Sequence, residues 1–324
     1  MQRPLEIVSE ETARAVVSLD DAIEAVAQAF IDLSAGRAEL FPVALGRGAD
    51  TGRFGAKLGR EGVDGTPGLK IGTYWPGNRA KGLAAHGSTT LLLDPGTGFP
   101  AALVAATYLT AIRTAAADAV AVRALARPDA SRLLVIGSGH QAYWEARAVA
   151  RVRPLTDIAI AGRSNEGAAK LARMLAEEGY PARPGTVASD AATADLIVTV
   201  TPSHVPLIGA EQVRAGTHVS AMGADEPGKA ELDPALFDKA ALFADLPAQS
   251  AAIGEFSQAV AQGLPLARIT ALGDVLRGIA AGRQSADLIT IFDSSGTALQ
   301  DLAVARLALA RARAAGTLQT IDIG

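Results

Sequence analysis

This sequence of 324 residues predicts an α/β chain in two domains, on three observations. The run Arg132-Leu133-Leu134-Val135-Ile136 is of strand type and stops at Gly137; Gly139 follows two residues later, and an alanine-rich helical pattern begins behind it. Past that point apolar runs and helical patterns alternate, as they do where parallel strands are joined by helices. Residues 41–104 have another texture, short strands punctuated by glycine and proline, which suits a smaller α+β domain.

The glycine stretch is the most specific of the three. A strand, a tight turn and a helix N-terminus in that order seat the pyrophosphate of a dinucleotide. Gly137 allows the turn, Gly139 lets the backbone approach the phosphates, and Ala142 is small enough to keep helix and sheet close. Ser138, His140 and Gln141 complete the turn. The strand before it, the helix after it and a second strand beyond favour a Rossmann-type dinucleotide-binding domain over an ordinary glycine turn.

The remaining elements follow in order. Residues 5–8 read as a strand. Ser18 precedes a helix with Ile23, Val26, Ala27 and Phe30 at helical spacing, and Gly36 stops it. Strands are expected near 43–46, 53–58, 68–75, 88–93 and 101–104 in a small mixed or antiparallel sheet. Asp94-Pro95-Gly96-Thr97-Gly98 is the turn between the last two. A helix over 107–126 ends at Arg127-Pro128-Asp129. Strands at 133–136, 157–161, 195–201, 218–222 and 241–244 then alternate with helices at 140–151 and 165–178, with shorter helices later; 181–187 is proline-rich and suits an edge strand. The tail 298–315 is an amphipathic helix with Leu299, Leu302, Ala303, Leu307 and Leu309 as its apolar positions.

Composition excludes several classes. The net charge of −4 carries no basic excess for nucleic acid, and the absence of cysteine removes disulfides, thiol catalysis and cysteine-bound metals. The N-terminus meets Glu10, Glu11 and Arg14 too soon for a signal-peptide core, and the apolar stretch 101–126 carries Arg113, Asp118 and Arg123, so no membrane span is expected and a cytoplasmic location fits. The histidines at 86, 140, 204 and 218 show no metal spacing; His218 falls in a strand and His204 in a loop. Ser138 lacks a histidine–carboxylate pairing and gives no hydrolase signal.

Four groups of residues can carry chemistry. The second strand of the dinucleotide domain runs into Gly162-Arg163-Ser164, where an NAD-preferring site places a carboxylate on the ribose 2′-hydroxyl. A guanidinium beside a hydroxyl suits a 2′-phosphate, which favours NADP(H) and leaves NAD(H) open. The alternative is a solvated Arg163 with Asn165 capping the next helix. In the first domain, alternation puts Lys70 and Tyr74 on one strand face and Arg53 and Lys57 on one face of another; paired in register they gather three cations, and otherwise they form a solvated outer face. Arg113 sits in an alanine-rich helix apolar all round, so its guanidinium needs an internal Asp or Glu, or a substrate carboxylate. Asp225 lies past the end of a parallel strand, placed to exchange protons with a substrate nitrogen or to cap a helix starting at Pro227. His86 is either structural or on the substrate side.

With these stretches laid out, the chain resembles the ornithine cyclodeaminase/mu-crystallin family nearly end to end. The resemblance rests on Gly68-Leu69-Lys70 with Pro76-Gly77-Asn78, on Leu109-Thr110-Ala111-Ile112-Arg113-Thr114-Ala115-Ala116, and on Ile136-Gly137-Ser138-Gly139-His140-Gln141-Ala142. It continues through 223–232, 289–296 and Asp301-Leu302-Ala303. It implies a homodimer whose first domain binds substrate, dimerises and reclaims the C-terminal helix, giving a discontinuous domain of 1–115 plus 299–324 and a dinucleotide domain of 116–298. It implies that Arg113 and Lys70 hold an α-carboxylate, that Asp225 handles the proton on nitrogen, and that Ser294 and Gly296 join Thr201 and the glycine turn around the cofactor. The family often has Pro-x-Arg where this chain has Pro42-Val43-Ala44, and a methionine where it has Lys57. Gly72-Thr73-Tyr74-Trp75-Pro76 with His86-Gly87-Ser88-Thr89 is similar to members that reduce iminosuccinate to aspartate, with Lys57, Arg53 or His86 on a second carboxylate.

The leading expectation is therefore an NAD(P)H-dependent reductase of a C=N bond next to a carboxylate. An ornithine-type cyclodeaminase, which releases ammonia with no net change in its cofactor, is the alternative. A non-catalytic ligand-binding protein is a third, against which intact Lys70, Arg113 and Asp225 argue.

Overall fold

The computed structural model describes residues 4–48 and 51–323. The chain forms two compact units, Met1–Arg113 with Thr297–Gly324, and Thr114–Gly296. The first opens with β1 (Leu5–Val8), α1 (Glu10–Val16) and α2 (Leu19–Ser34). Each helix begins where the sequence supplies a cap: Ser9 accepts from the Thr12 N–H, and Ser18 and Asp21 form a capping box. Next come β2 (Glu39–Leu40), β3 (Ala44–Arg47), β4 (Arg53–Glu61), β5 (Thr66–Tyr74), β6 (His86–Leu93) and β7 (Pro100–Ala105). The first two N–H groups of α3 (Thr107–Leu125) rest on the Glu10 carboxylate at 3.2 and 2.6 Å, a negative charge where the helix dipole favours one.

The second unit contains β8 (Arg132–Ile136), α4 (His140–Val152), β9 (Asp157–Ala161), α5 (Asn165–Glu177), β10 (Ala182–Pro184), α6 (Val187–Asp190) and β11 (Leu196–Thr199). It continues with β12 (His204–Ile208), β13 (His218–Ala221), β14 (Ala230–Leu232), β15 (Ala240–Ala244), α7 (Pro247–Ile253), α8 (Ser257–Ala261), β16 (Ile269–Ala271), α9 (Leu272–Leu276) and β17 (Ile289–Asp293). The chain then re-enters the first unit with α10 (Ala298–Ala315) and β18 (Gln319–Ile321).

The second unit's main sheet runs β10-β9-β8-β11-β13-β17-β15-β16, and every pairing in it is parallel. Covered on both faces, its central strands are continuous apolar runs; Leu134, Ile197, Val219 and Ile291 pack in one core with Phe237 and Phe256. The order reverses between β8 and β11, the crevice where such sheets bind dinucleotides. The first unit's sheet runs β18-β1-β7-β6-β5-β4-β2 with β3 also on β4. Among the described residues only its β1–β7 pairing is parallel. Helix α10 packs on α2 and on β4, β5, β6 and β7.

Several expectations need correction. The first sheet is mixed, as expected, but has eight strands rather than a few. His204 opens β12 instead of lying in a loop, because β12 pairs with β14, a strand the local pattern does not signal. No helix starts at Pro227, so Asp225 and Glu226 cap none. Helix α10 is not one-sided: residues 298–305 are buried all round, including Gln300 and Asp301, while Leu307 is only half-buried.

Candidate active site

In the first unit, register brings the cations together. Strands β4 and β5 set Lys57 opposite Lys70 and Arg53 opposite Tyr74; β5 and β6 set Lys70 opposite Thr90 and Tyr74 opposite His86. Directly opposed residues share a face, so Arg53, Lys57, Lys70, Tyr74, His86 and Thr90 all lie on one side of the sheet. That side is not a solvated outer face at Lys70, which is 5% exposed.

The reason is Asp301. Lys70 Nζ stands 3.0 Å from its Oδ1 and 2.9 Å from its Oδ2. Arg113, as buried as Lys70, donates from Nε to Asp301 Oδ1 at 2.7 Å and from Nη1 to Gln300 Oε1 at 2.9 Å. Of the two partners foreseen for Arg113, the internal carboxylate is present. It leaves capacity for another anion, because two of five guanidinium N–H donors are engaged among the described residues. Burial pushes the Lys70 pKa down to about 7, Arg113 and Lys57 add to that, and Asp301 opposes it. Burial raises Asp301, but Arg113, Lys70 and Lys57 outweigh it and hold this carboxyl below its usual range.

Along the same face the Tyr74 and His86 rings lie 4.5 Å apart, with the Arg53 guanidinium 5.3 Å from the Tyr74 ring. Gly72 lies between them and Lys70, and a Cβ there would meet nothing closer than 3.9 Å. The fully buried Thr90 hydroxyl, opposite Lys70, has no hydrogen-bond partner among the described residues. Sequence reasoning missed Thr90, Gln300 and Asp301 as members of this group. The only signal was that Asp301 fell in a family motif.

In the second unit, Gly137 adopts φ +145°, and a Cβ on it would stand 2.7 Å from the Val200 carbonyl oxygen. Only glycine fits there. Gly139 caps α4, and a Cβ on it would meet nothing within 4 Å, so its backbone is open to an approaching ligand. Ala142 is fully buried against the sheet. An open helix N-terminus after a strained glycine fits a pyrophosphate. The Gln141 side chain donates to Glu145 at 2.8 Å and His140 accepts from Trp144 at 3.2 Å, so both side chains engage their own helix and what they present at its N-terminus is backbone.

At the end of β9, Arg163 is exposed and Ser164 accepts from the Gly167 N–H at 3.1 Å. Ser164, not Asn165, is therefore the cap of α5. Gly162 lets the two loops pack closely, since a Cβ there would stand 2.7 Å from Ser138 Oγ and make it shift. Thr201 Oγ1 donates to Glu231 at 2.7 Å. Asp245 binds Ser294 Oγ at 3.2 Å and the Gly296 N–H at 2.7 Å, fixing the loop after β17. Asp225, in the loop after β13, pairs with Lys229 at 2.5 Å and keeps over half its side chain exposed. Among the described residues, no group of three or more His, Asp or Glu is placed to hold a metal, and no helix is long and apolar enough to cross a membrane.

A parallel sheet whose strand order reverses beside a glycine turn and an open helix N-terminus defines the class of dinucleotide-binding α/β proteins. Residues 6–316 match the ornithine cyclodeaminase/mu-crystallin family, and the chain belongs to it. The iminosuccinate reductase of Paracoccus denitrificans (strain Pd 1222) is 39% identical, over 98% of this chain and 99% of its own. A solved structure of that species' iminosuccinate reductase with NAD+ has a TM-score of 0.94 at 38% identity, covering 99% of this chain and 100% of the other. An archaeal alanine dehydrogenase dimer with bound NAD also reaches 0.94, at 34% identity, with 99% and 100% covered. The Δ1-pyrroline-2-carboxylate reductase of Thermococcus litoralis, solved with NADH and L-proline, reaches 0.92 at 26% identity, with 98% and 100% covered.

Proposed function

We propose that the protein is an NAD(P)H-dependent reductase of an imine carbon next to a carboxylate, acting in reverse as an amino-acid dehydrogenase. The observation that carries this is the convergence of Lys70 and Arg113 on Asp301, two buried cations held in place with guanidinium donors to spare. Arg113 offers a planar fork to the substrate's α-carboxylate and Lys70 a point charge. When bound, the reduced nicotinamide supplies a hydride to the imine carbon. Asp225 in its acid form, or an ordered water, delivers the proton to nitrogen, and Lys70, brought to about pKa 7, also exchanges its proton at neutral pH.

Iminosuccinate, reduced to aspartate, is the substrate we favour. Lys57 stands beside Lys70 on the same face, and Arg53, Tyr74 and His86 lie on that face beyond the open space over Gly72, so a second carboxylate has cations on either side of it. The Paracoccus relative carries that activity in its name. Arg163, exposed where a carboxylate would select NAD, supports NADP(H), with NAD(H) also accepted as in the solved relatives. A second copy covers the other face of β4 and β5, where Phe54, Leu58 and Ile71 are all exposed; the archaeal relative is described as a dimer.

The test is a panel of α-keto acids with ammonia or methylamine, oxaloacetate included, and cyclic imines, each with NADPH and NADH. Stoichiometric oxidation of the cofactor with one acid supports the reductase. Ammonia release from ornithine or lysine without net cofactor change would replace it with a cyclodeaminase.

A further inference from the structure

Four hydrogen bonds converge on one buried carboxylate that the proposed reaction does not use. Glu231, fully buried in β14, accepts on Oε1 from the Thr201 N–H at 2.6 Å and the Thr201 hydroxyl at 2.7 Å. On Oε2 it accepts from the Thr199 hydroxyl at 2.8 Å and the Gly223 N–H at 2.9 Å. Oε1 thus grips the loop leaving β11, and Oε2 ties the end of that strand to the loop leaving β13. The carboxylate is itself fixed, because Glu255 Oε1 accepts from the N–H groups of Glu231 and Leu232 at 2.9 and 2.7 Å. Gly223 is where it is because the clamp is tight: a Cβ on it would collide with the Thr201 carbonyl oxygen and stand 2.6 Å from the Glu231 carboxyl carbon.

The two gripped loops have a definite place in the sheet. The strand order reverses between β8 and β11. The β8–β9 side carries the phosphate turn and the residues for the adenosine ribose, which leaves the β11–β13 side for the nicotinamide half. Gly223 is also the root of the Asp225 loop.

We propose that Glu231 is a positioning residue that sets the spacing of the β11 and β13 loops, and so shapes the seat of the nicotinamide half of the cofactor. The proposal rests on the reading of the protein as a nicotinamide-dependent reductase. Its chemistry makes glutamine a sharp probe. Each carboxylate oxygen serves one backbone N–H, of Thr201 or of Gly223. A carboxamide in either orientation turns its NH2 toward one of them, so Glu231→Gln frees one loop whichever way it flips.

The experiment compares, by calorimetry, the affinity of wild type and Glu231→Gln for the preferred reduced dinucleotide and for the matching ADP-ribose, which lacks the nicotinamide. We expect the dinucleotide to bind about tenfold more weakly and ADP-ribose to change less than about twofold, the loss of one charge-assisted bond. Equal weakening of both ligands, or of neither, would overturn the proposal, since a merely structural role does not distinguish the two halves of the cofactor. If Glu231→Gln fails to fold, Thr199→Val removes one donor from the same clamp; a smaller split in the same direction supports the proposal and no split overturns it. A wild-type protein that binds neither ligand would instead remove the reductase reading.

Discussion

Asp301 and Lys70 lie 231 residues apart in the chain and meet 2.9 Å apart in the fold, with the Arg113 guanidinium on the same carboxylate. Removing one member of such a buried group costs more than the group contributes, because the remaining charges keep their desolvation penalty without their partner. Asp301→Asn should lower the unfolding free energy by about 3 kcal/mol, read from denaturant midpoints. A dicarboxylate such as succinate should restore part of it by replacing the missing charge. An unchanged midpoint would mean that Asp301 is not the counterion of the pair.

Lys70 gives the site a pH signature. Its ammonium titrates near 7 in the folded protein, below its ordinary 10.5, because of burial. Carboxylate affinity should therefore be full below pH 7 and fall by up to about tenfold per unit above it, until Arg113 holds the anion alone. Stability runs the other way. Between pH 7 and 10.5 the unfolded chain binds the extra proton, so this residue's contribution rises with pH across that window. Lys70→Arg should flatten the affinity profile between pH 6 and 9; a profile that keeps its slope would assign the titration to another group.

The roles of Arg113 and Lys57 separate by substrate. Arg113→Ala should abolish turnover while leaving dinucleotide affinity nearly unchanged, as titration with NADPH and NADH can check; lost cofactor binding would sink the assignment. Lys57→Ala should reduce kcat/KM for a dicarboxylate imine at least about tenfold more than for a monocarboxylate one, the cost of one charge-assisted pair. Equal losses would remove the second carboxylate.

Cofactor choice is testable at one position. Arg163→Ala should raise KM for NADPH about tenfold, the loss of a guanidinium–phosphate contact, and leave KM for NADH within error. If both rise together, Arg163 acts on something other than the 2′-phosphate.

The apolar outer face of β4 and β5 predicts a change of mass. Leu58→Glu with Ile71→Lys places charges where a second copy would bury them, and light scattering should then report a monomer in place of a dimer. A wild-type monomer, or a variant that stays dimeric, would place the interface elsewhere.

Much of this was legible in the chain. The β8 strand, the Gly137 turn and helix α4 are local, so composition and spacing specify them, and the φ of +145° at Gly137 is the strain that only glycine tolerates. The alternation in β4 and β5 assigned Lys57 and Lys70 to faces, because the two-residue period of a strand needs no knowledge of its neighbour. That Ser164 rather than Asn165 caps α5 differs by one residue, within the reach of local signals.

What the sequence by itself determined was the kind of each element and the side on which its residues stand. What only the tertiary structure decided was which of those sides meet. The register that puts Lys57 against Lys70, the burial of α10 on every side, and the arrival of Asp301 at Arg113 all depend on contacts 13 to 231 residues apart. No periodicity within a single element encodes such a contact. It is settled by which apolar surfaces close on each other, and the charged groups then pair because, once buried, they have nowhere else to find a partner.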